Sequence, residues 1–293
     1  MPLSFGFLDI FPDQLVDNAA AGSGHWDDAY WTNVLHPVES VGMPIVGKAD
    51  NLRLPENNEA HVWTTGIPAS RASVLALAGL LSADEQVRAA RFIRSKDRDS
   101  YVVAHGILRR LLGGYLAAPP AGLSFFTQAF GKPALVPGAG RPPLAFNLAH
   151  SGDVILVAVT AGCEVGVDVE QIRPDLDMTA VAQTHFSEQE VAALKAMPPE
   201  ERTVGFFRCW TRKEAYLKAR GDGLGFPLDK FSVAFGRKTE PEILWVADDP
   251  RARDRWSVYD LSVGPGYVGA VVCAGRAIRL VARQAPVFEV MRE

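Results

Sequence analysis

Along the chain, apolar positions switch between a period of two and a period near 3.6, the signatures of strands and helices. "HVWTTGIP" at 61–68 alternates as a strand, and "LSADEQVRAARFI" then opens a helix in which Ser82 and Glu85 form a capping box. A second helix is expected in "DRDSYVVAHGILRRLLGGYL", ended at or shortly after Gly113-Gly114, followed by strands in "LAFNLAHS" and "DVILVAVTA". The order then recurs. "EVGVDVEQIRP" reads as a strand closed by proline, "FSEQEVAALKAM" as a helix with the same box from Ser187 and Glu190, and "TVGFFRCWTRKEAYLKARG" as a long helix. Strands are expected in "DKFSVAF", "EILWVA", "RWSVYDLSV" and "YVGAVVCAG". A recurrence at about 105 residues is too long for a solenoid and suits duplicated domains. The predicted class is α+β, with two similar α+β halves related by internal duplication and a pseudo-twofold. Residues 1–56, broken by Pro, Gly, Asn and Asp around an aromatic knot "HWDDAYW", read as an irregular N-terminal extension. The halves are expected at 57–161 and 162–280, with 281–293 as a C-terminal tail.

Composition narrows the class further. The 293 residues are 48% hydrophobic, ample for folded domains, and the net charge of −4 argues against broad nucleic-acid binding. Cys163, Cys209 and Cys273 are scattered, with no CxxC pair, and read as reduced thiols of a cytoplasmic protein. The N-terminus lacks a basic n-region and no apolar run reaches spanning length, so neither export signal nor membrane helix is expected.

Chemistry concentrates in the second half. In "GVDVE" the valines point one way and Asp168 and Glu170 the other. An edge strand with a solvated face explains this pattern, and so does a pair of oxygen ligands for a hard cation. Glu214 and Lys218 lie four apart on one helix face. They make either a surface ion pair worth about 0.2–0.5 kcal/mol or, since Trp210 and Phe206 share the stripe, an inward-facing site. A divalent metal and a phosphate would partner such a carboxylate and ammonium. Lys132 in "FGKPAL" and His150 in "FNLAHSGD" are loop or strand-end residues that become informative only in company. Arg88, Arg91 and Arg94 form either an ordinary charged helix face or a phosphate clamp. "GDGLG" at 221–225 follows a helix instead of opening one, so it reads as a helix C-cap and turn.

Together, "GKPAL…FNLAHSGD", "GVDVE" and "FFRCWTRKEAYLKARGDGL" resemble the 4′-phosphopantetheinyl transferases of the Sfp type over roughly residues 57–280. That resemblance implies a holo-[acyl-carrier-protein] synthase type of enzyme. It would move the phosphopantetheine arm of coenzyme A to a serine of an apo acyl or peptidyl carrier protein and release 3′,5′-ADP. It implies Mg²⁺ held by Asp168, Glu170 and Glu214, with Glu214, or Glu170 through a water, as base and Lys218 on the leaving phosphate. Lys132, His150, Arg88 and Arg91 would bind coenzyme A, His150 at its 3′-phosphate. The expected partners are coenzyme A and a carrier protein, with no nucleic acid and no membrane, and the expected state is a monomer. Two positions depart from the pattern: Ala149 replaces the usual serine, and Glu85 falls near a basic position of some members. Two rivals are weaker. A PD-(D/E)xK nuclease wants its E-x-K on a strand, and a non-catalytic carrier-binding homologue has no need of the intact acid–lysine set.

Overall fold

The computed structural model describes residues 52–68, 70–138, 142–237 and 239–285; most of the expected extension, "HWDDAYW" included, and most of the expected tail lie outside these. The fold is α+β, as the pattern predicts. Strand β1 (Glu59–Gly66) leads to helices α1 (Arg71–Ala78), α2 (Ala83–Ala89) and α3 (Ser95–Leu116). A short hairpin of β2 (Phe125–Thr127) and β3 (Pro133–Leu135) precedes β4 (Ala145–Ser151) and β5 (Val154–Thr160). The second passage runs β6 (Val165–Gln171), α4 (Met178–His185), α5 (Glu188–Ala196) and α6 (Pro199–Arg220). It continues through β7 (Phe231–Val233), β8 (Ile243–Val246), α7 (Ala252–Arg255), β9 (Trp256–Leu261) and β10 (Tyr267–Ala274) to β11 (Arg279–Gln284).

Two sheets organise the molecule, one ordered β11-β1-β5-β4 and the other β6-β10-β9. The expected boundary at 280/281 falls inside β11, which crosses back and pairs in parallel with β1 of the first sheet. Nothing local in "RLVARQ" announces this return; its partner is more than 200 residues away in sequence.

Residue parity decides which side chain meets what. On β6, Val165, Val167 and Val169 join an apolar cluster with Ala60, Val62, Leu156 and Ala158 of the first sheet. The even residues face α6 instead. Gly166 explains how closely: a Cβ there would overlap the Ala215 carbonyl and the Ala219 amide, so only glycine lets the helix backbone rest on this strand. On α6, Phe206, Phe207 and Trp210 are fully buried and anchor the helix, each contributing about 1.5–3 kcal/mol by leaving water. The helix begins with Pro199 in its first turn and stops where Gly221 turns left-handed at φ 81°, which confirms the C-cap reading. Both predicted capping boxes are present, Ser82 with Glu85 and Ser187 with Glu190.

Candidate active site

Strand β6 and helix α6 bring four of the sequence-predicted residues together. Asp168, Glu170 and Glu214 are all buried, at 1%, 3% and 1% exposure, so the solvated-strand and surface-pair alternatives fail. Lys218 donates from Nζ to Asp168 Oδ1 at 2.6 Å. Burial would depress the lysine, but the charges of Asp168, Glu214 and Glu170 outweigh it and hold the ammonium above its ordinary value. For Asp168 burial wins. Its carboxyl is lifted above the usual range even though Lys218 opposes the shift. Asp168 Oδ2 is buried and accepts no hydrogen bond.

The Lys218 ammonium thus feels the charge of three buried carboxylates and is bonded to one of them, in a dry place. Among the described residues no group of three or more His, Cys, Asp or Glu side chains is gathered as a ready-made metal cluster. The donor set nonetheless fits a hard divalent cation of Mg²⁺ type, which takes few carboxylates and completes its octahedron with water and phosphate oxygens. The orphaned Oδ2 is the specific sign of fit.

His150, at the end of β4, is half-buried, and burial followed by the charges of His105 and Lys218 lowers it to about 4. It is a neutral imidazole at pH 7, within electrostatic reach of the lysine. Lys132 is placed differently. Its Nζ donates to Glu164 Oε2 at 2.8 Å, Val165 O at 3.1 Å and Ala219 O at 3.3 Å, tying the C-terminal end of α6 to the start of β6. Arg88 lies over the Tyr101 ring at 5.8 Å, and Arg91 is exposed just past α2. His105, stacked on Tyr101 at 4.1 Å, is within electrostatic reach of both Arg88 and His150. A cavity of about 310 Å³ opens beside it, lined by Glu85, His105, Arg109, Phe125, Thr127 and Leu148. Two polar residues at the acidic site drew no attention in the sequence: Ser151 donates to Glu170 Oε2 at 3.0 Å, and Asn147 Oδ1 accepts the Val167 N–H at 2.8 Å. Their signal was available, as two polar residues on the face of β4 that otherwise carries only Ala145 and Ala149.

The described chain is a two-sheet α+β protein with a buried acid–lysine site on its second passage. Residues 164–272 match the 4′-phosphopantetheinyl transferase superfamily, and residues 67–162 match the 4′-phosphopantetheinyl transferase N-terminal family. The 4′-phosphopantetheinyl transferase HetI of Nostoc sp. is 37% identical over 228 residues, covering 78% of this chain and 92% of its own length. Sfp of Bacillus subtilis is 27% identical over 194 residues, covering 66% and 82%. A solved structure, the holo-[acyl-carrier-protein] synthase of Thermotoga maritima, overlaps 38% of this chain and 62% of its own at 20% identity and a TM-score of 0.31. The chain belongs to the 4′-phosphopantetheinyl transferase superfamily.

Proposed function

We propose that the protein is a Mg²⁺-dependent 4′-phosphopantetheinyl transferase of the holo-[acyl-carrier-protein] synthase type. Its donor is coenzyme A, and its acceptor is a serine of an apo acyl or peptidyl carrier protein. The observation that carries this reading is Asp168, buried beside Lys218 with Oδ2 unpartnered. Bound by Asp168, Glu170 and Glu214, Mg²⁺ would neutralise pyrophosphate charge and polarise the attacked phosphorus. Glu214, or Glu170 through a water, accepts the proton of the carrier serine. The serine oxygen forms its bond to the pantetheine-bearing phosphorus as the bond from that phosphorus to the bridging oxygen breaks. The electron pair leaves with 3′,5′-ADP, whose phosphate Lys218 stabilises and protonates.

His150 donates a neutral N–H to the 3′-phosphate of coenzyme A, with Arg88 and Arg91 supplying positive charge nearby. Lys132 contributes a phosphate contact only by exchanging Glu164 for the ligand, since its ammonium is otherwise engaged. The division of labour between a half ending near residue 161 and a half carrying the acidic site belongs to the same reading. So do a monomeric state and a cytoplasmic location. Three unpaired cysteines support the latter, and among the described residues no helix is long and apolar enough to cross a membrane. The test is incubation with coenzyme A, Mg²⁺ and a panel of apo carrier proteins, read by intact mass. One carrier should gain the mass of a single phosphopantetheine arm, and chelation should abolish the gain. A panel left unmodified, with coenzyme A and carrier both bound, would favour the non-catalytic carrier-binding alternative.

A further inference from the structure

Strand β4 ends the first sheet and β6 ends the second, and the two meet along a seam where amides of the β6 edge point at β4. Side chains close this seam. Asn147 Oδ1 accepts the N–H of Val167 at 2.8 Å, and Ser151 Oγ accepts the N–H of Gln171 at 3.0 Å. Both bonds join residues twenty apart, 147 to 167 and 151 to 171, so the two strands run alongside in one direction and in one register. The two stitches differ in one respect. Asn147 holds only the backbone of β6, whereas the Ser151 hydroxyl, having accepted Gln171 N–H, donates its proton to Glu170 Oε2 at 3.0 Å. One hydroxyl therefore fixes the carboxylate of Glu170 and the amide that follows it.

We propose that Ser151 is the positioning residue for Glu170, so that a strand of the first sheet sets the geometry of a cation ligand carried by the second. The inference rests on the metal site proposed above. A hydroxyl that donates to a ligand carboxylate fixes its orientation, and loss of such an outer partner costs roughly 10–100-fold in metal affinity. The hydroxyl has a single proton, and the Gln171 amide forces that proton toward the carboxylate. This directionality separates Ser151 from a serine that merely fills space. It also makes the site dependent on the seam: any slip of β4 against β6 moves the Ser151 hydroxyl away from Glu170.

The experiment measures Mn²⁺ binding by electron paramagnetic resonance, with coenzyme A present and no carrier, for wild type, Ser151→Ala, Ser151→Thr and Asn147→Ala. The Mg²⁺ concentration for half-maximal transfer is measured in parallel. Ser151→Ala should weaken Mn²⁺ binding by about tenfold or more and raise the Mg²⁺ requirement in proportion. Ser151→Thr, which keeps the hydroxyl, should restore both to within a few-fold. Asn147→Ala should lower the melting temperature with a smaller effect on Mn²⁺. Where the alanine variant does not fold, Ser151→Cys carries the same expectation, because its thiol fills the space and donates weakly. Wild-type Mn²⁺ affinity in Ser151→Ala, or equal losses in Ser151→Ala and Asn147→Ala, would overturn the positioning role while leaving the metal site standing. Wild-type protein that binds no Mn²⁺ and transfers without a divalent cation would overturn the metal reading itself.

Discussion

The molecule buries acid–base clusters in both passages and treats them in opposite ways. Around α2 and α3, Glu85 uses both oxygens. Oε2 accepts from Arg109 at 2.7 Å and from the Ser82 amide at 2.8 Å, and Oε1 meets His105 at 3.3 Å. Burial alone would raise this carboxyl, but those hydrogen bonds pull it down to about 2. Between β6 and α6, Asp168 has one oxygen on Lys218 and the other without a hydrogen bond, and its carboxyl is held up instead. One residue before Glu214 on the same helix, Lys213 is again fully satisfied, by both oxygens of Glu190 and by the Phe231 carbonyl. The chain therefore has the means to complete a buried ion pair and does so on either side of the acidic site. An incomplete cluster between complete ones is the arrangement expected where a ligand supplies the missing charge and stability is given up to bind it.

The sharpest way to break this contrast is to remove one member of the incomplete cluster. Asp168→Ala should lower arm transfer by about two to three orders of magnitude while leaving the melting temperature near wild type. Glu214→Gln should act in the same direction. A fall in turnover that merely follows a fall in melting temperature would make the second cluster structural, like the first.

The complete cluster should respond in the opposite sense. Glu85→Gln leaves Arg109 without its carboxylate and should destabilise the fold by about 3 kcal/mol at neutral pH. Because Glu85 is depressed from 4.5 to about 2, its contribution is full above pH 4.5 and is lost as the pH falls toward 2. Urea melts of both proteins across that window should converge at the acid end, and a gap that persists there would remove the ion pair as its cause.

These two clusters also show what the sequence made legible. Both capping boxes could be read from S-x-x-E, and the alternation in "GVDVE" correctly set Asp168 and Glu170 on one face. What could not be read is that each box glutamate serves twice. Glu85 reaches Arg109 on the next helix, and Glu190 reaches Lys213 and the Val233 amide. Helix α1 escaped notice because it is short and its N-cap Ser70 makes no side-chain cap bond. The engagement of Lys132 with Glu164 and Ala219 was hidden for the same reason as the return of β11, since both are contacts between distant segments that no local pattern encodes.

Smaller effects sharpen the edges of the site. His150→Ala should weaken coenzyme A by about tenfold, a hydrogen bond to a charged group being worth roughly 1.5–3 kcal/mol, and should weaken 3′-dephospho-coenzyme A less. Competition binding with the two ligands separates these, and equal losses would move His150 away from the 3′-phosphate. Ala149→Ser should have the least effect. It returns a hydroxyl between the two stitches of β4 and should tighten coenzyme A by about 0.5–1.5 kcal/mol with turnover intact. A tenfold loss of affinity by calorimetry would mean that the pocket is built around alanine.

Asp168 Oδ2 is left without a hydrogen bond because a cation supplies its partner. Calorimetric titration of Mg²⁺ into the protein with coenzyme A present tests this most directly. Wild type should take up the cation saturably at one class of site, Glu85→Gln should do so equally at a temperature where it is folded, and Asp168→Ala should not. Uptake that is undiminished in Asp168→Ala, or absent from a wild-type protein that still transfers the arm, would contradict the account.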